Sequence, residues 1–354
     1  MKTEVIEVHP EYPDSKAIAY CARIIRQGGL VIFPTETVYG IAADYTNPDA
    51  MRRLREVKMR SDDKPFSVLI SQKGLITNYT IMSDSFLYKM IDKYWPGPLT
   101  IVVNAKDGDG TIGIRMPDHL VALKLVQEAQ CMIAAPSANL EGKPPPMTCK
   151  EALQDLDGLV DAALDGGAAT LGLGSSVVDL TKKPPVVLRE GPITQKDVDR
   201  LFKTKTILFV CTGNSCRSVM AEYLLKHAMR DRDDLEVLSA GTGVFLNSMA
   251  SSETIAVLKE EGIDATAHAS RSINSILLKK ADLVFTMTRS HYAQVLERVP
   301  EVEKKVYLLK EFANIPSNFQ GDIDIPDPIG RSHQAYKECL ELIREAVGRI
   351  KELV

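Results

Sequence analysis

From residue 205 onward the chain alternates short apolar runs with amphipathic segments, and this rhythm limits the fold more than any other feature. TILFVC, LEVLSAG, DLVFTMT and KVYLLKEF read as strands, and the last segment, SHQAYKECLELIREAVGRIKELV, carries the 3.6-residue period of a long helix. Strands that alternate one for one with helices cannot pair through tight hairpins; they form a parallel sheet wound on both faces. In such a sheet ligands bind where strands end and helices begin. The loop that follows TILFVC, TGNSCRSVMAE, is therefore the first place to look for chemistry.

Before that point the pattern differs. GGLVIFPTE, FSVLIS, LTIVVNA, IGIRMP, CMIAAPSA, SSVVDL and PVVLRE are apolar, β-branched and bounded by Gly, Pro or Asp. SKAIAYCARIIRQ, DAMRRLREVKMR, SFLYKMIDKYW and DHLVALKLVQEA are helical in period. Many strands and fewer helices predict an α/β domain on a largely mixed, twisted sheet. A chain of 354 residues exceeds one ordinary core. We read two domains, 1–200 and 204–354, with the seam near 195–204.

Composition excludes several classes. With 45% hydrophobic and 25% charged residues the chain reads as a soluble globular protein, and no stretch approaches the roughly 18 apolar residues of a membrane span. The polar, acidic opening MKTEVIEVHPEYPD is no secretory signal. A net charge of −4 argues against a general nucleic-acid coat. Six scattered cysteines fit a reduced cytoplasm better than a disulfide framework. The absence of Cys-x-x-Cys and His-x-x-x-His spacings points away from a structural zinc site.

The loop after TILFVC sets Cys211 at a strand end, ahead of a helix N-terminus. Successive N–H groups of Thr212, Gly213, Asn214, Ser215 and Cys216, with the helix dipole, make a concave anion site. Gly213 permits the tight turn, and Arg217 adds a planar fork that matches two phosphate oxygens. The same field favours thiolate over thiol at Cys211, and Ser218 can donate to the sulfur. Cys211, five residues, then Arg217-Ser218 resembles the low-molecular-weight protein-tyrosine phosphatases, and the likeness extends over 206–354 with SAGT at 239–242. It implies a doubly wound, four-stranded parallel sheet of flavodoxin-like type. It also implies a cysteinyl-phosphate intermediate on Cys211 and a general acid on an Asp-Pro loop, supplied here by Asp327-Pro328 in IPDPIG.

Departures from that pattern bear on substrate. Tyrosine-directed members commonly carry a bulky aliphatic residue where this chain has Ser215, and an aromatic where it has Ile329; Val219 replaces a usual proline. A small hydroxyl residue at 215 resembles the branch that acts on phosphoarginine, so the expected substrate is a phosphoprotein with preference away from tyrosine. Arsenate reductases share the loop but need further thiols on a mobile segment, and no cysteine lies between Arg217 and Asp327. Cys339 reads as a small core residue. Cys216 forms a reversible disulfide with the nucleophile in relatives, a secondary redox role beside its plain one as a compact loop residue.

The first half holds a second constellation. VIFPTETVYGIAAD brings Thr35, Glu36 and Thr37 beside Tyr39-Gly40, and VKMRSDDKPFSVLI aligns Lys58, Arg60 and Lys64, a spacing otherwise typical of a solvated helix end. Arg115 follows in IGIRMPDH, Ser137 and Asn139 in AAPSANLEGKPPP, Ser175 and Ser176 in GSSVVDL, and Arg189 in VLREGPI. The ordered set resembles the YrdC-like threonylcarbamoyl-adenylate synthases over about residues 10–195. The resemblance implies that ATP, bicarbonate and L-threonine become threonylcarbamoyl-AMP and diphosphate, feeding the tRNA threonylcarbamoyl-transfer machinery. Thr37, Arg115, Ala135 and Ser175 would hold threonine. Lys58, Arg60, Lys64, Thr111, Ser137, Asn139 and Arg189 would hold ATP. Mg²⁺ would bridge the phosphates, held largely by water and ATP, with no protein metal site and no tightly bound cofactor. Met59 and Ser61 depart from the Lys-Gly-Arg-Pro of many relatives. Where longer synthases carry a further C-terminal domain, this chain continues into the phosphatase-like half.

Two rival readings stay beside this bifunctional one. The first half could be an RNA-binding module without synthase activity, which would call for a basic face with exposed aromatics; Trp95 is the single tryptophan. The second half could be an arsenate reductase-like or phosphate-sensing domain.

Overall fold

The computed structural model describes residues 2–61, 65–108, 110–244, 248–315 and 323–353; Lys64 lies outside them. The chain divides into two compact units, Met1–Ser83 with Met90–Phe202, and Asp84–Lys89 with Lys203–Val354. Among the described residues, no helix is long and apolar enough to cross a membrane.

The first unit is built on a mixed sheet. Its strand order is Glu4–Glu7, Ala162–Asp165, Val31–Phe33, Gly40–Asp44, Ile133–Ala134, Val68–Leu69, Thr111–Arg115, Leu99–Asn104, Ser176–Asp179 and Val186–Arg189. Alternate residues of the central strands face opposite layers. Val31 and Phe33 pack with Ile18, Cys21 and Ile25 of helix Ser15–Arg26 and with Val121 and Leu125 of helix Leu120–Ala129. Leu30 and Ile32 pack with Leu54 of helix Pro48–Lys58 and with Ala152 and Leu156 of helix Cys149–Leu156.

Two features place the site. The PTETVY segment is the turn between the antiparallel strands Val31–Phe33 and Gly40–Asp44, and it is buried throughout. A buried turn must satisfy its own backbone. Thr35 does so, its Oγ1 accepting from the Thr37 and Val38 amides, each at 3.2 Å, and donating to the Val38 carbonyl at 2.6 Å. Gly40 is needed because a Cβ there would lie 2.9 Å from the Phe33 ring. Helix Pro48–Lys58, capped by Asn47, ends with Met59 in the left-handed region (φ 52°), where glycine is favoured. That is the physical content of the departure from Lys-Gly-Arg-Pro: the side chain opposes the conformation that the turn requires.

The second unit has four parallel strands in the order Leu235–Gly241, Lys205–Cys211, Leu283–Thr286, Val306–Leu308. Ile207 and Phe209 face helices Arg217–Ala228 and His333–Leu353, whereas Leu208 and Val210 face helices Ser275–Lys280 and Arg289–Arg298. The connections from the central strand go first to one side and then to the other. The crevice this reversal opens lies at the Cys211 end.

Some expectations are refined. KVYLLKEF is a strand only over Val306–Leu308, after which Leu309–Phe312 is helical. Strands Glu4–Glu7, Gly40–Asp44 and Ala162–Asp165 escape the reading of apolar runs, because they are short and take their partners from far along the chain.

Candidate functional site

In the second unit, strand Lys205–Cys211 ends at the sulfur and helix Arg217–Ala228 begins six residues later. Between them the chain bends so that the amides of Gly213, Asn214, Ser215 and Cys216 donate to no acceptor among the described residues. Four open donors ahead of a helix N-terminus form an anion cradle. The cradle is held from behind by Asn214, buried and left-handed at φ 51°. Its Nδ2 donates to Ser218 Oγ (3.1 Å) and Ser239 Oγ (2.7 Å), its Oδ1 accepts from the Arg271 amide (2.8 Å), and its carbonyl accepts from Ser270 Oγ at 2.6 Å. Gly241 of SAGT makes room for the loop, since a Cβ there would meet the Thr212 carbonyl at 2.3 Å.

Cys211 is 3% exposed, and its Sγ lies 2.9 Å from Ser218 Oγ. Arg217 Nη1 donates to the Ile325 carbonyl at 3.2 Å and Nη2 to Asp327 Oδ2, while its buried Nε finds no partner among the described residues. Thus 110 residues of chain separate Arg217 from Asp327, yet the two side chains meet. Cys216 packs behind the loop against Ser251 Oγ (3.4 Å) and Tyr336 hydroxyl (3.6 Å). Cys339 points at the Pro326 carbonyl (3.7 Å), and burial pushes its thiol up to about 12. Ser215 is half-buried and Ile329 is 62% exposed.

In the first unit a cavity of about 610 Å³ is lined by Arg60, Thr111, Arg115, Ala135, Ser137, Asn139, Ser175 and Arg189. Eight of the residues singled out by sequence converge there. Thr37 and Lys58 stand directly behind it. Thr37 Oγ1 accepts from Arg115 Nη2 at 2.8 Å, and Lys58 Nζ donates to the carbonyls of Ser137 (2.6 Å) and Asn139. Arg189 grips the Ser175 carbonyl through Nε (3.0 Å) and Nη2 (2.8 Å), and Ser175 Oγ shares a bond with Thr100 Oγ1 at 2.8 Å.

Comparison with known proteins follows the same division. The Sua5–YciO–YrdC family model, described as Telomere recombination, matches residues 23–191, and the model for low molecular weight phosphotyrosine protein phosphatase matches 206–354. A putative threonylcarbamoyl-AMP synthase of Mycobacterium tuberculosis is 35% identical over 204 residues, 55% of this chain and 94% of that one. A protein-arginine-phosphatase of Geobacillus stearothermophilus is 38% identical over 146 residues, 41% of this chain and 93% of that one. This chain belongs to both families. It spans little more than half of some longer relatives, 56% in the case of the Bacillus subtilis threonylcarbamoyl-AMP synthase, which is 38% identical over 194 residues. The Pyrococcus abyssi Sua5 structure, solved with L-threonine, shares the fold over 86% of this chain and 99% of its own, at a TM-score of 0.54 and 24% identity.

The two sites differ in electrostatics. Around the first cavity burial lowers Lys58 to about 8 and lowers Arg189, and neighbouring guanidinium groups push each further in the same direction. Cations crowded against their own repulsion gain most from a bound polyanion. Lys143, which lines the cavity and pairs with Asp155, is an addition that its place in the EGKPPP run after Ser-Ala-Asn could have signalled.

At the phosphatase-type loop the residue missed was His291. Its Nε2 shares a 2.8 Å hydrogen bond with Thr212 Oγ1 and its Nδ1 a 2.9 Å bond with Thr288 Oγ1. Burial first, then the nearby Arg217, lowers the imidazole to about 4. As pH falls below 6.5 the unfolded chain takes up a proton that the folded one refuses, so stability is lost until about pH 4. We expect this unit to lose about 2 kcal/mol between pH 7 and pH 5 from this group. In His291→Gln that pH-dependent difference should shrink toward zero in urea denaturation at the two pH values, whatever the variant's absolute stability.

Proposed function

We propose that the chain is a bifunctional enzyme whose working domains are 1–200 and 204–354. The first forms L-threonylcarbamoyladenylate from ATP, bicarbonate and L-threonine, and the second hydrolyses a protein phosphoresidue through a cysteinyl-phosphate. The observation that carries the second reading is the meeting of Asp327 with Arg217 at the rim of a loop whose amides are open. That of the first is the convergence of Arg60, Arg115 and Arg189 with Thr111, Ser137 and Ser175 on one cavity.

For the synthase, Arg115, Thr37, Ala135 and Ser175 are the threonine side, and Arg60, Thr111, Ser137, Asn139 and Arg189 the nucleotide side. Lys58 acts through the Ser137–Asn139 backbone that it holds. The carbamate oxygen attacks the α-phosphorus and diphosphate leaves, so the cations need only orient the reactants and spread the developing charge. Mg²⁺ belongs to the Mg·ATP substrate. Among the described residues no group of three or more His, Cys, Asp or Glu gathers to hold an ion. The product is a mixed anhydride, consumed by the machinery that modifies tRNA. The test is diphosphate release by the purified chain, which should require threonine and bicarbonate together; release without threonine would remove the reading.

For the phosphatase, the substrate's phosphoryl oxygens take the open amides and the Arg217 fork. Arg217 must then release Asp327, which frees that carboxyl to protonate the leaving group and later to activate water. Asp327→Asn should slow turnover of para-nitrophenyl phosphate by about 10²–10⁴-fold, the range of a general acid. Ser215 and the exposed Ile329 offer no aromatic slot, and the similar G. stearothermophilus protein is an arginine phosphatase. We expect phosphoarginine proteins to be hydrolysed in preference to phosphotyrosine proteins. A nucleophilic thiol that must stay reduced supports a cytoplasmic location.

A further inference from the structure

Phe66 opens the run FSVLI and in sequence reads as core; its side chain is 3% exposed and packs with Leu54, Val57 and Ala138. Two guanidinium groups nevertheless lie over its ring, those of Arg55 and Arg60, each 4.9 Å from the centroid. The backbone explains the meeting. Helix Pro48–Lys58 ends at Met59, whose left-handed turn reverses the chain, and the Arg60 amide donates back to the Arg55 carbonyl at 3.0 Å. Arg55 Nη1 donates to the Ser61 carbonyl at 3.1 Å, which braces the chain just past Arg60. Arg60 Nη2 in turn donates to the Pro65 carbonyl at 2.9 Å, next to the ring. Both Arg60 and Phe66 line the synthase cavity, whose other charged lining residues are Arg115, Lys143, Arg189 and the acid Glu190.

We propose that Phe66 is a positioning residue for nucleotide binding: its ring holds the Arg60 guanidinium at the cavity wall, set for a phosphate. The proposal rests on the synthase reading above and adds the residue that aims one of its cations. An aromatic face attracts a cation through the ring quadrupole, more strongly where water is excluded, and neutralises none of its charge. A guanidinium held by its face also keeps its N–H edge for phosphate oxygens. Both points matter at this wall. After burial, the charge of Arg60 lowers Lys58, and after burial and Arg115 it lowers Arg189, so these cations stand close together and repel one another. Without the ring, that repulsion favours an Arg60 side chain swung into solvent, which must lose its rotamer freedom each time a nucleotide binds. The ring orders it beforehand.

The test is calorimetric titration of the full chain with ATP and, separately, with L-threonine. Phe66→Leu keeps an apolar side chain in the core but has no π face. In that variant ATP should bind about five- to tenfold more weakly, the scale of a partly desolvated cation–π contact. Threonine affinity should stay within about twofold of wild type, whereas a merely structural role would weaken both ligands together. The effect should also depend on Arg60. In an Arg60→Gln background Phe66→Leu should change ATP affinity by less than about twofold, because the group it positions is gone. Unchanged ATP affinity in a folded Phe66→Leu would overturn the proposal. So would equal losses for ATP and threonine, or the same loss of ATP affinity with and without Arg60. Should Arg60→Gln bind ATP too weakly to titrate, the contrast between ATP and threonine decides. Should Phe66→Leu fail to fold, Phe66→Met, a more adaptable filler of the same core, takes its place with the same expectations. A wild type that shows this dependence on Phe66 yet releases no diphosphate would refute the synthase reading while Phe66 keeps its role.

Discussion

Cys211→Ser should reduce hydrolysis of para-nitrophenyl phosphate by about five orders of magnitude or more, the scale seen when a covalent nucleophile is removed. The substitution is nearly isosteric, so its effect comes from ionisation. A serine hydroxyl needs a base to take its proton, and the one carboxylate at the loop, Asp327, is held by Arg217 and must carry the proton that the leaving group takes. Ser218 and the loop amides are donors, and the imidazole of His291 has both nitrogens engaged with threonine hydroxyls. Nor can another thiol stand in. Cys339 is held far toward the protonated form, and Cys216 faces Ser251 and Tyr336 behind the loop. Because the amides and Arg217 are untouched, affinity for inorganic phosphate should change little. Turnover within tenfold of wild type would remove Cys211 from the mechanism.

Arg115→Ala should have the next largest effect, and in two independent readouts. Arg115 and Glu36 are both buried, with side chains 10% exposed each. Deleting one partner of such a pair strands the other, at a cost of about 3–5 kcal/mol. For a unit of this size that lowers the melting temperature by on the order of 10 °C. Threonine-dependent diphosphate release should fall below detection, since the carboxylate of the amino acid loses its fork. Arg115→Lys separates the two effects. A lysine restores the charge beside Glu36 but not the planar pair of donors, so stability should recover while activity does not. An alanine variant melting at the wild-type temperature would show that the pair is not the internal anchor described above.

The phosphatase-type loop could be read from the chain because its chemistry is local. Strand end, anion-binding amides, nucleophile and guanidinium lie within seven consecutive residues, and strand–helix alternation already dictates that a parallel sheet presents them at one edge. The second constellation was legible only as a set. Thr37, Arg115, Ser137, Ser175 and Arg189 come from five separate stretches, and no spacing among them marks a site.

What escaped the chain's pattern are pairings between distant residues. His291 stands 79 residues from Thr212, and Glu36 stands 79 from Arg115. A histidine near a helix start and a glutamate between threonines are ordinary in sequence; burial and a partner make them informative. Local order thus singled out the loop that follows Cys211, since the amides and the helix start that shape its anion cradle are its own. The tertiary structure alone decided that Asp327, already named by its Asp-Pro motif, pairs with Arg217, which carboxylate keeps an open oxygen beside Arg115, and that PTETVY is a buried turn. Those depend on strand register and on which charges are removed from water together, and neither is a property of any short stretch.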